Sequence, residues 1–126
     1  KNMNPVLGKD DLVFCSLPSN KADEYLSLSQ GYYVENEGTT VIISKKLADL
    51  HKLPYELVFK RITLTVHSSL EAVGFLARIT EVLAAQGISV NVVSAYYHDY
   101  LYIKSEQADL ALKILQLWQD KLTSDD

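Results

Sequence analysis

Residues 66–79, VHSSLEAVGFLARI, read as the end of a strand followed by the start of a helix. Ser68 and Glu71 match the S-x-x-E capping box that opens many helices. Gly74 would then lie inside the helix, where glycine costs about 1 kcal/mol relative to alanine. Two interpretations remain open. A neighbouring unit or a ligand approaches the backbone closely at Gly74, or the helix begins later and Gly74 belongs to its first turn.

The residues on either side of this stretch predict the units that surround it. Residues 61–67 alternate, with Ile62, Leu64 and Val66 on one face, as a half-buried strand does. After the capping box, apolar residues recur at helical spacing until Gly87, which is placed to end the helix as a C-terminal cap.

Two more strands and a helix complete the second half of the chain. Residues 88–93 and 100–104 predict strands joined by a tight turn near His98 and Asp99. Residues 108–118 carry a helical apolar stripe. The predicted element order from residue 61 is therefore βαββα.

The first half of the chain is a weaker copy of the same pattern. Residues 12–17 predict a strand, residues 18–31 a loop, 32–35 and 39–43 a hairpin, 45–52 a helix stopped by Pro54, and 55–60 a strand. We predict an α/β (α+β) fold of two ferredoxin-like βαββαβ units, residues 1–60 and 61–126. The first unit lacks its first helix and the second its last strand. Their antiparallel sheets are expected to pair edge to edge, with helices on one face.

Composition excludes several classes of function. The 126 residues carry 12 basic and 16 acidic side chains without a basic cluster, which argues against nucleic-acid binding. Cys15 is the only cysteine and stands in the apolar run LVFCSL, so no disulfide forms within the chain and a buried thiol is expected. No apolar run reaches the roughly 18 residues of a membrane helix. A cytoplasmic protein with no membrane partner is the expectation.

Three segments of the chain resemble a known family. Residues 35–40 (ENEGTT), 64–74 (LTVHSSLEAVG) and 95–103 (AYYHDYLYI) resemble the paired ACT units of an uncharacterised bacterial family. That family is similar to the ACT units of the cytosolic arginine sensors of animals. The resemblance extends from about residue 12 to residue 118.

The resemblance implies amino-acid binding at an interface between units, against the loop that enters the first helix and a facing strand. Main-chain N–H groups at the helix start would hold the ligand carboxylate, and an acidic side chain would pair with its ammonium group. The common ACT loop places an acidic residue and a proline before the glycine, and this chain departs from that pattern. The ligand-binding residues implied are Ser68, Ser69, Glu71, Val73, Gly74, Ser89, Asn91 and Asp99.

Plainer roles stand beside these. Glu71 completes a capping box and Asp99 shapes a turn. His67, Ser68, Ser69, His98 and Asp99 include the residue types of a hydrolase triad, but no G-x-S-x-G motif is present and Ser68 has a simpler role as a cap. His67, His98 and Asp99 lack the spacing of a metal-binding motif.

The sequence therefore predicts a non-enzymatic protein with no cofactor and no metal. The first hypothesis is a regulatory module that binds an amino acid and forms a homodimer. The alternative is a ligand-free interaction or oligomerisation module that acts on a partner enzyme.

Overall fold

The computed structural model describes residues 3–65 and 74–124, which form two compact units. One unit, the inserted unit, is Asp10–Phe59. The other, the flanking unit, contains the residues up to Lys9 and those from Lys60 onward. In chain order the elements are β1 (Val6–Leu7), β2 (Leu12–Leu17), α1 (Ser19–Ala22), β3 (Gly31–Val34), β4 (Thr39–Ser44), α2 (Lys45–Leu50), β5 (Phe59–Thr65), α3 (Phe75–Ala84), β6 (Asn91–Ser94), β7 (His98–Lys104) and α4 (Ala108–Ser124).

The inserted unit is an antiparallel sheet in the order β3-β4-β2. β2 and β4 pair along their full length, from Leu12 opposite Ser44 to Leu17 opposite Thr39. Phe59, the first residue of β5, pairs with Leu12 on the other side of β2. Alternate strand residues enter the core because side chains of a strand point to opposite faces in turn. The buried strand residues of this core are Val13, Cys15, Leu17, Val41 and Ile43.

A short helix lies in the segment that the sequence predicts to be a loop. α1 covers Ser19–Ala22 and a 3-10 turn covers Leu26–Leu28, so the loop prediction is wrong there. The carbonyl oxygen of Pro18 accepts hydrogen bonds from the N–H groups of Lys21 and Ala22, at 3.0 and 2.9 Å. Ala22 is buried in the core. A four-residue helix is marginal by itself, so its formation here depends on this packing rather than on local propensity.

α2 begins and ends with side-chain hydrogen bonds. The Ser44 hydroxyl oxygen accepts the N–H of Leu47 at 3.1 Å, which caps the first turn. The Asp49 carboxylate binds the Lys45 ammonium at 2.8 Å and accepts the Tyr55 hydroxyl at 2.6 Å. Tyr55 is therefore held against α2 rather than in the sheet. The predicted strand over 55–60 is wrong for its first four residues, because β5 begins at Phe59.

The flanking unit has the sheet order β1-β5-β7-β6. β1 is antiparallel to β5, with Val6 opposite Thr63 and Leu7 opposite Ile62. A strand from the N-terminal segment is thus part of the sheet of the flanking unit.

Several contacts hold the N-terminal segment in the flanking unit. The N–H of Thr65 donates to the carbonyl oxygen of Met3, and the N–H of Gly8 donates to that of Arg61, both at 2.8 Å. The Met3 side chain is 3% exposed and belongs to the core. The other fully packed members of that core are Ile62, Leu64, Ile79, Leu83, Ile88, Leu101, Ile103, Ala111 and Leu115.

The C-terminal end of α3 has the cap that the sequence predicts. Gly87 adopts a left-handed conformation with φ +76°. Its N–H donates to the carbonyl oxygen of Ala84, and the N–H of Ile88 donates to the carbonyl oxygen of Leu83. These are the two hydrogen bonds of a Schellman motif. Gly87 is thereby confirmed as the C-terminal cap. Because Ile88 is engaged by the helix end, β6 begins at Asn91, three residues later than predicted.

The hairpin that follows is shifted relative to the prediction. β7 begins at His98, and the turn consists of residues 95–97, with the N–H of Ala95 donating to the carbonyl oxygen of His98 at 2.9 Å. The turn expected near His98 and Asp99 thus lies just before them, and Asp99 itself is in β7, where it pairs with Ser94. The ferredoxin-like α+β class with antiparallel sheets is confirmed.

Candidate ligand site at the start of α3

Gly74 is the residue immediately before α3. Its backbone is left-handed, with φ +77° and ψ −5°, and among the residues that the structure describes no side chain caps the helix at this position. Its carbonyl oxygen accepts the N–H of Arg78 at 3.0 Å, the first hydrogen bond of the helix. Helix α3 therefore begins at Phe75, as in the interpretation that places Gly74 at the helix start.

The backbone conformation explains why this residue is glycine. A Cβ on Gly74 would lie 3.7 Å from Nη1 of Arg78, which is an ordinary van der Waals distance. Crowding by the described residues therefore does not exclude a side chain. The positive φ disfavours one, because a side chain in the left-handed region costs roughly 1–2 kcal/mol for most residues.

The start of α3 carries positive electrostatic potential from two sources. The N–H groups of Phe75, Leu76 and Ala77, at the start of the helix, have no acceptor within the helix itself. The helix dipole is also positive at this end. The exposed guanidinium of Arg78 lies beside Gly74 and adds a full positive charge. Main-chain N–H groups with an adjacent guanidinium suit a carboxylate or a phosphate.

Arg78 was not among the residues predicted for the site. It stands four positions after Gly74, and residues four apart lie on the same face of a helix. That spacing was the available signal, but it applies only to a helix that begins at Gly74. A helix begun at Ser68 would make Arg78 one of several exposed residues in mid-helix.

Ser89 and Asn91 lie near the opposite end of α3. The hydrogen bond between Ile88 and Leu83 ties this segment to the last turn of the helix. Leu83 is nine residues beyond Gly74, which corresponds to about 13 Å along the helix axis. Ser89 is exposed before β6, and Asn91 is exposed as its first residue, opposite Tyr102. These two residues are not brought together with Gly74.

Asp99 lies at the other end of the β6–β7 hairpin. It pairs with Ser94 and is partly exposed. In a βαβ unit the strand after a helix runs back towards the start of that helix. Asp99 therefore lies at the same end of the flanking unit as Gly74. The four other predicted residues lie outside the described residues: Ser68, Ser69, Glu71 and Val73.

The described residues offer no grouping suited to metal chemistry. Within residues 3–65 and 74–124, three or more His, Cys, Asp or Glu side chains do not come together in a geometry that could hold a metal ion. His98 instead contacts the ring of Tyr100, with ring centroids 6.0 Å apart. His67, Ser68 and Ser69, considered above for a triad, lie outside the described residues. In the same part of the chain, no helix is both long enough and apolar enough to cross a membrane.

Comparison with protein families identifies both halves of the chain. The ACT domain family model matches residues 1–60, and a second ACT domain model matches residues 60–116. The chain belongs to the ACT-domain family. The resemblance drawn from its sequence segments is thus confirmed. ACT domains are regulatory rather than catalytic modules, and they generally bind small molecules such as amino acids.

Solved structures share the fold of this ACT-domain protein. A Vibrio cholerae protein of unknown function, described as a possible transport protein, is 39% identical over 94% of this chain and 91% of its own, with a TM-score of 0.84. An Agrobacterium tumefaciens protein is 12% identical over 92% of this chain and 88% of its own, with a TM-score of 0.74.

A third similar structure is the regulatory subunit of aspartate kinase from Thermus thermophilus in its ligand-free form. It is 12% identical over 93% of this chain and 97% of its own, with a TM-score of 0.69. At this identity the likeness concerns the fold alone. A search of curated protein sequences found no match.

Proposed function

We propose that this ACT-domain protein is a regulatory module that binds an amino acid in the cytoplasm and acts as a homodimer. The observation that carries the proposal is the start of α3, where Gly74 is left-handed, no side chain of the described residues caps the helix, and Arg78 stands beside Gly74. A ligand carboxylate supplies the negative charge that this end of the helix favours.

The carboxylate and the ammonium group of the ligand have separate partners in this proposal. The carboxylate accepts hydrogen bonds from the main chain at Val73 and from the first turn of α3, and pairs with Arg78. The ammonium group pairs with Asp99 or Glu71. Asp99 supports this assignment by lying at the Gly74 end of the unit, whereas Ser89 and Asn91 rest on the resemblance alone.

A regulatory role fits the relatives of the chain. The Thermus thermophilus neighbour is a regulatory subunit of an enzyme, and its fold spans nearly the whole of both chains. In the second candidate function the same fold serves only to bind a partner enzyme, without a small ligand. The start of α3, where the positive end of the helix dipole lies beside the exposed Arg78 guanidinium, favours the ligand-binding function.

Thermal unfolding with and without ligands tests the proposal. A ligand that binds only the native state raises the free energy of unfolding, by about 2.7 kcal/mol when its concentration is a hundred times Kd. We expect at least one of the twenty amino acids to raise the Tm, and Arg78→Ala to remove most of that rise. Lys113→Ala, a change of another exposed cation on α4 of the same unit, should retain it. If no amino acid raises the Tm at millimolar concentration, the interaction function is the better account.

A further inference from the structure

The sheet of the flanking unit has two different faces. On one face, alternate residues of β5 and β7 pack in the core with α3 and α4: Ile62, Leu64, Leu101 and Ile103. The residues between them point to the other side of the sheet, because successive side chains of a strand alternate. We call that side the open face; it contains the odd-numbered residues 61–65 of β5 and the even-numbered residues 98–104 of β7.

The open face carries positive charge. β5 contributes Arg61 to it, and β7 contributes Lys104 and His98. The residues of β1 and β6 that share this face are uncharged: Val6, Asn91 and Val93. Among the described residues of these four strands, no Asp or Glu points to the open face, although the whole chain has a net charge of −4. This face is therefore complementary to an anionic ligand.

Two tyrosines of β7 hold the Arg61 side chain on this face. Its guanidinium carbon lies 4.7 Å from the centroid of the Tyr100 ring, in a cation–π contact. Arg61 also forms a hydrogen bond with the hydroxyl of Tyr102, a side chain that is 3% exposed. Burial raises the pKa of this hydroxyl, and the charge and the hydrogen bond of Arg61 oppose that rise. The guanidinium is thus positioned before a ligand arrives, which reduces the entropy lost on binding.

The pair of Arg61 and Tyr100 offers two kinds of contact. Tyr100 is partly exposed, and an aromatic ring stacks with the flat face of a nucleic-acid base. A guanidinium binds a phosphate through two parallel N–H groups. It has five N–H donors, so it can bind a hydroxyl and an anion at the same time. A ligand that contains both a flat ring and a phosphate uses both contacts.

We propose that the open face binds a mononucleotide, whose base stacks against Tyr100 and whose phosphate pairs with Arg61. His98, with its ring centroid 6.0 Å from that of Tyr100, extends the aromatic surface. A mononucleotide suits this protein better than a nucleic-acid strand, because the net negative charge of the chain repels a long polyanion. The open face lies on the opposite side of the sheet from α3, so this site is distinct from the proposed amino-acid site.

An NMR titration with AMP tests the position of the site. We expect a Kd on the order of 0.1–1 mM, because an open face leaves one side of the ligand in water. The signals of residues 61–65 and 98–104 should shift. Absence of any shift at millimolar AMP, or shifts confined to the start of α3, would overturn the proposal.

Variants of Tyr100 test the stacking contact. Tyr100→Leu removes the ring and should weaken AMP binding about tenfold. Tyr100→Phe keeps the ring and should bind AMP as the unmodified protein does. Tyr33→Leu changes a tyrosine of the inserted unit that is 75% exposed, and it should also leave AMP binding unchanged. A Tyr100→Leu protein with unchanged affinity for AMP would contradict the proposal.

Ligand fragments test the phosphate contact without any change to the protein. Adenosine lacks the phosphate and ribose 5-phosphate lacks the base, so each should bind the unmodified protein about tenfold more weakly than AMP. Arg61→Gln should bind AMP and adenosine equally, and circular dichroism shows whether this variant is folded. If the unmodified protein itself binds AMP and adenosine equally, the phosphate makes no contact and the proposal fails.

Two further ligands test the class of ligand. A short single-stranded oligoadenylate should bind about as weakly as AMP. If it binds about a hundredfold more tightly, the ligand of this face is a nucleic acid and the proposal is overturned. Amino acids should leave the signals of residues 98–104 in place. If amino acids shift those signals and AMP does not, the open face belongs to the amino-acid site and the mononucleotide site is excluded.

Discussion

The Arg78 guanidinium lies 3.7 Å from the point where a Cβ on Gly74 would stand, and the Arg78 main-chain N–H binds the Gly74 carbonyl oxygen at 3.0 Å. One turn of helix thus brings a cationic side chain back to the residue where the helix starts. Both features depend on the left-handed conformation of Gly74, which sets the point at which α3 begins.

We expect Arg78→Ala to reduce amino-acid affinity about tenfold, because a hydrogen bond to a charged group contributes roughly 1.5–3 kcal/mol and this side chain is exposed. Isothermal titration with the amino acid that gives the largest rise in Tm measures the change. Lys113→Ala is the control, since it removes a positive charge from α4. An equal loss in both variants would mean that net charge, rather than the contact at the helix start, governs binding.

Gly74→Ala should lower the free energy of unfolding by about 1 kcal/mol, because alanine is strained at φ +77°. Gly74→Asn should cost less, since asparagine tolerates the left-handed region. Urea denaturation compares the two variants. Gly87→Ala imposes similar strain at φ +76° at the other end of α3, where an added Cβ meets only open space. It should destabilise without altering ligand binding, whereas Gly74→Ala should weaken both.

Met3→Ala should destabilise the protein by about 2–5 kcal/mol, as truncation of a packed core methionine does. The reason is that Met3 is 3% exposed and packs in the core of the flanking unit, although it lies about sixty positions before β5 in the sequence. Val6→Ala, three residues later but 54% exposed, is the matched control and should have little effect. If Met3→Ala and Val6→Ala both unfold at the urea midpoint of the unmodified protein, the N-terminal segment is dispensable.

Acid should weaken the hydrogen bond by which Tyr55 binds Asp49 of α2. The hydrogen bond from Lys45 and that from Tyr55 hold the pKa of Asp49 below its ordinary value of 3.8. A lowered folded-state pKa contributes stability above the unfolded-state pKa, and that contribution is lost as the pH falls through the folded-state pKa. The difference in Tm between the unmodified protein and Asp49→Asn should therefore shrink as the pH is lowered below 4. A difference that is independent of pH would exclude this contribution.

The same cluster raises the pKa of Tyr55, chiefly because its hydroxyl donates to the Asp49 carboxylate. Asp49→Asn should bring the ultraviolet titration of Tyr55 to lower pH. The ultraviolet titration that is lost in Tyr55→Phe is that of Tyr55, which distinguishes it from the other tyrosines of the chain. Because the Lys45 and Asp49 side chains are exposed, we expect only a small effect on stability.

Strong periodicity made much of the fold predictable from the sequence. The alternation of Ile62 and Leu64 predicted a half-buried strand, and the structure buries both side chains in β5. The predicted cap at Gly87 is confirmed because a Schellman motif depends on local hydrogen bonds and on a residue that accepts positive φ. Such features involve residues close in the chain, so a single stretch of sequence carries the information.

Tertiary structure alone decided the remainder. Val6 and Leu7 form a two-residue strand with no periodic signal, and their role is visible only in their pairing with Thr63 and Ile62. α1 forms although its segment has weak propensity, because burial of Ala22 stabilises one turn. Both depend on contacts with residues distant in the chain.

The candidate site divides in the same way. The sequence singled out Gly74 by the cost of glycine in a helix, and it identified the ACT-domain family from segments around that residue. Its left-handed conformation, the start of α3 at Phe75 and the return of Arg78 to the helix start came from the structure. The capping-box pattern predicts a helix that starts at Ser68, whereas the glycine predicts a later start at Gly74. Local propensity does not decide between the two.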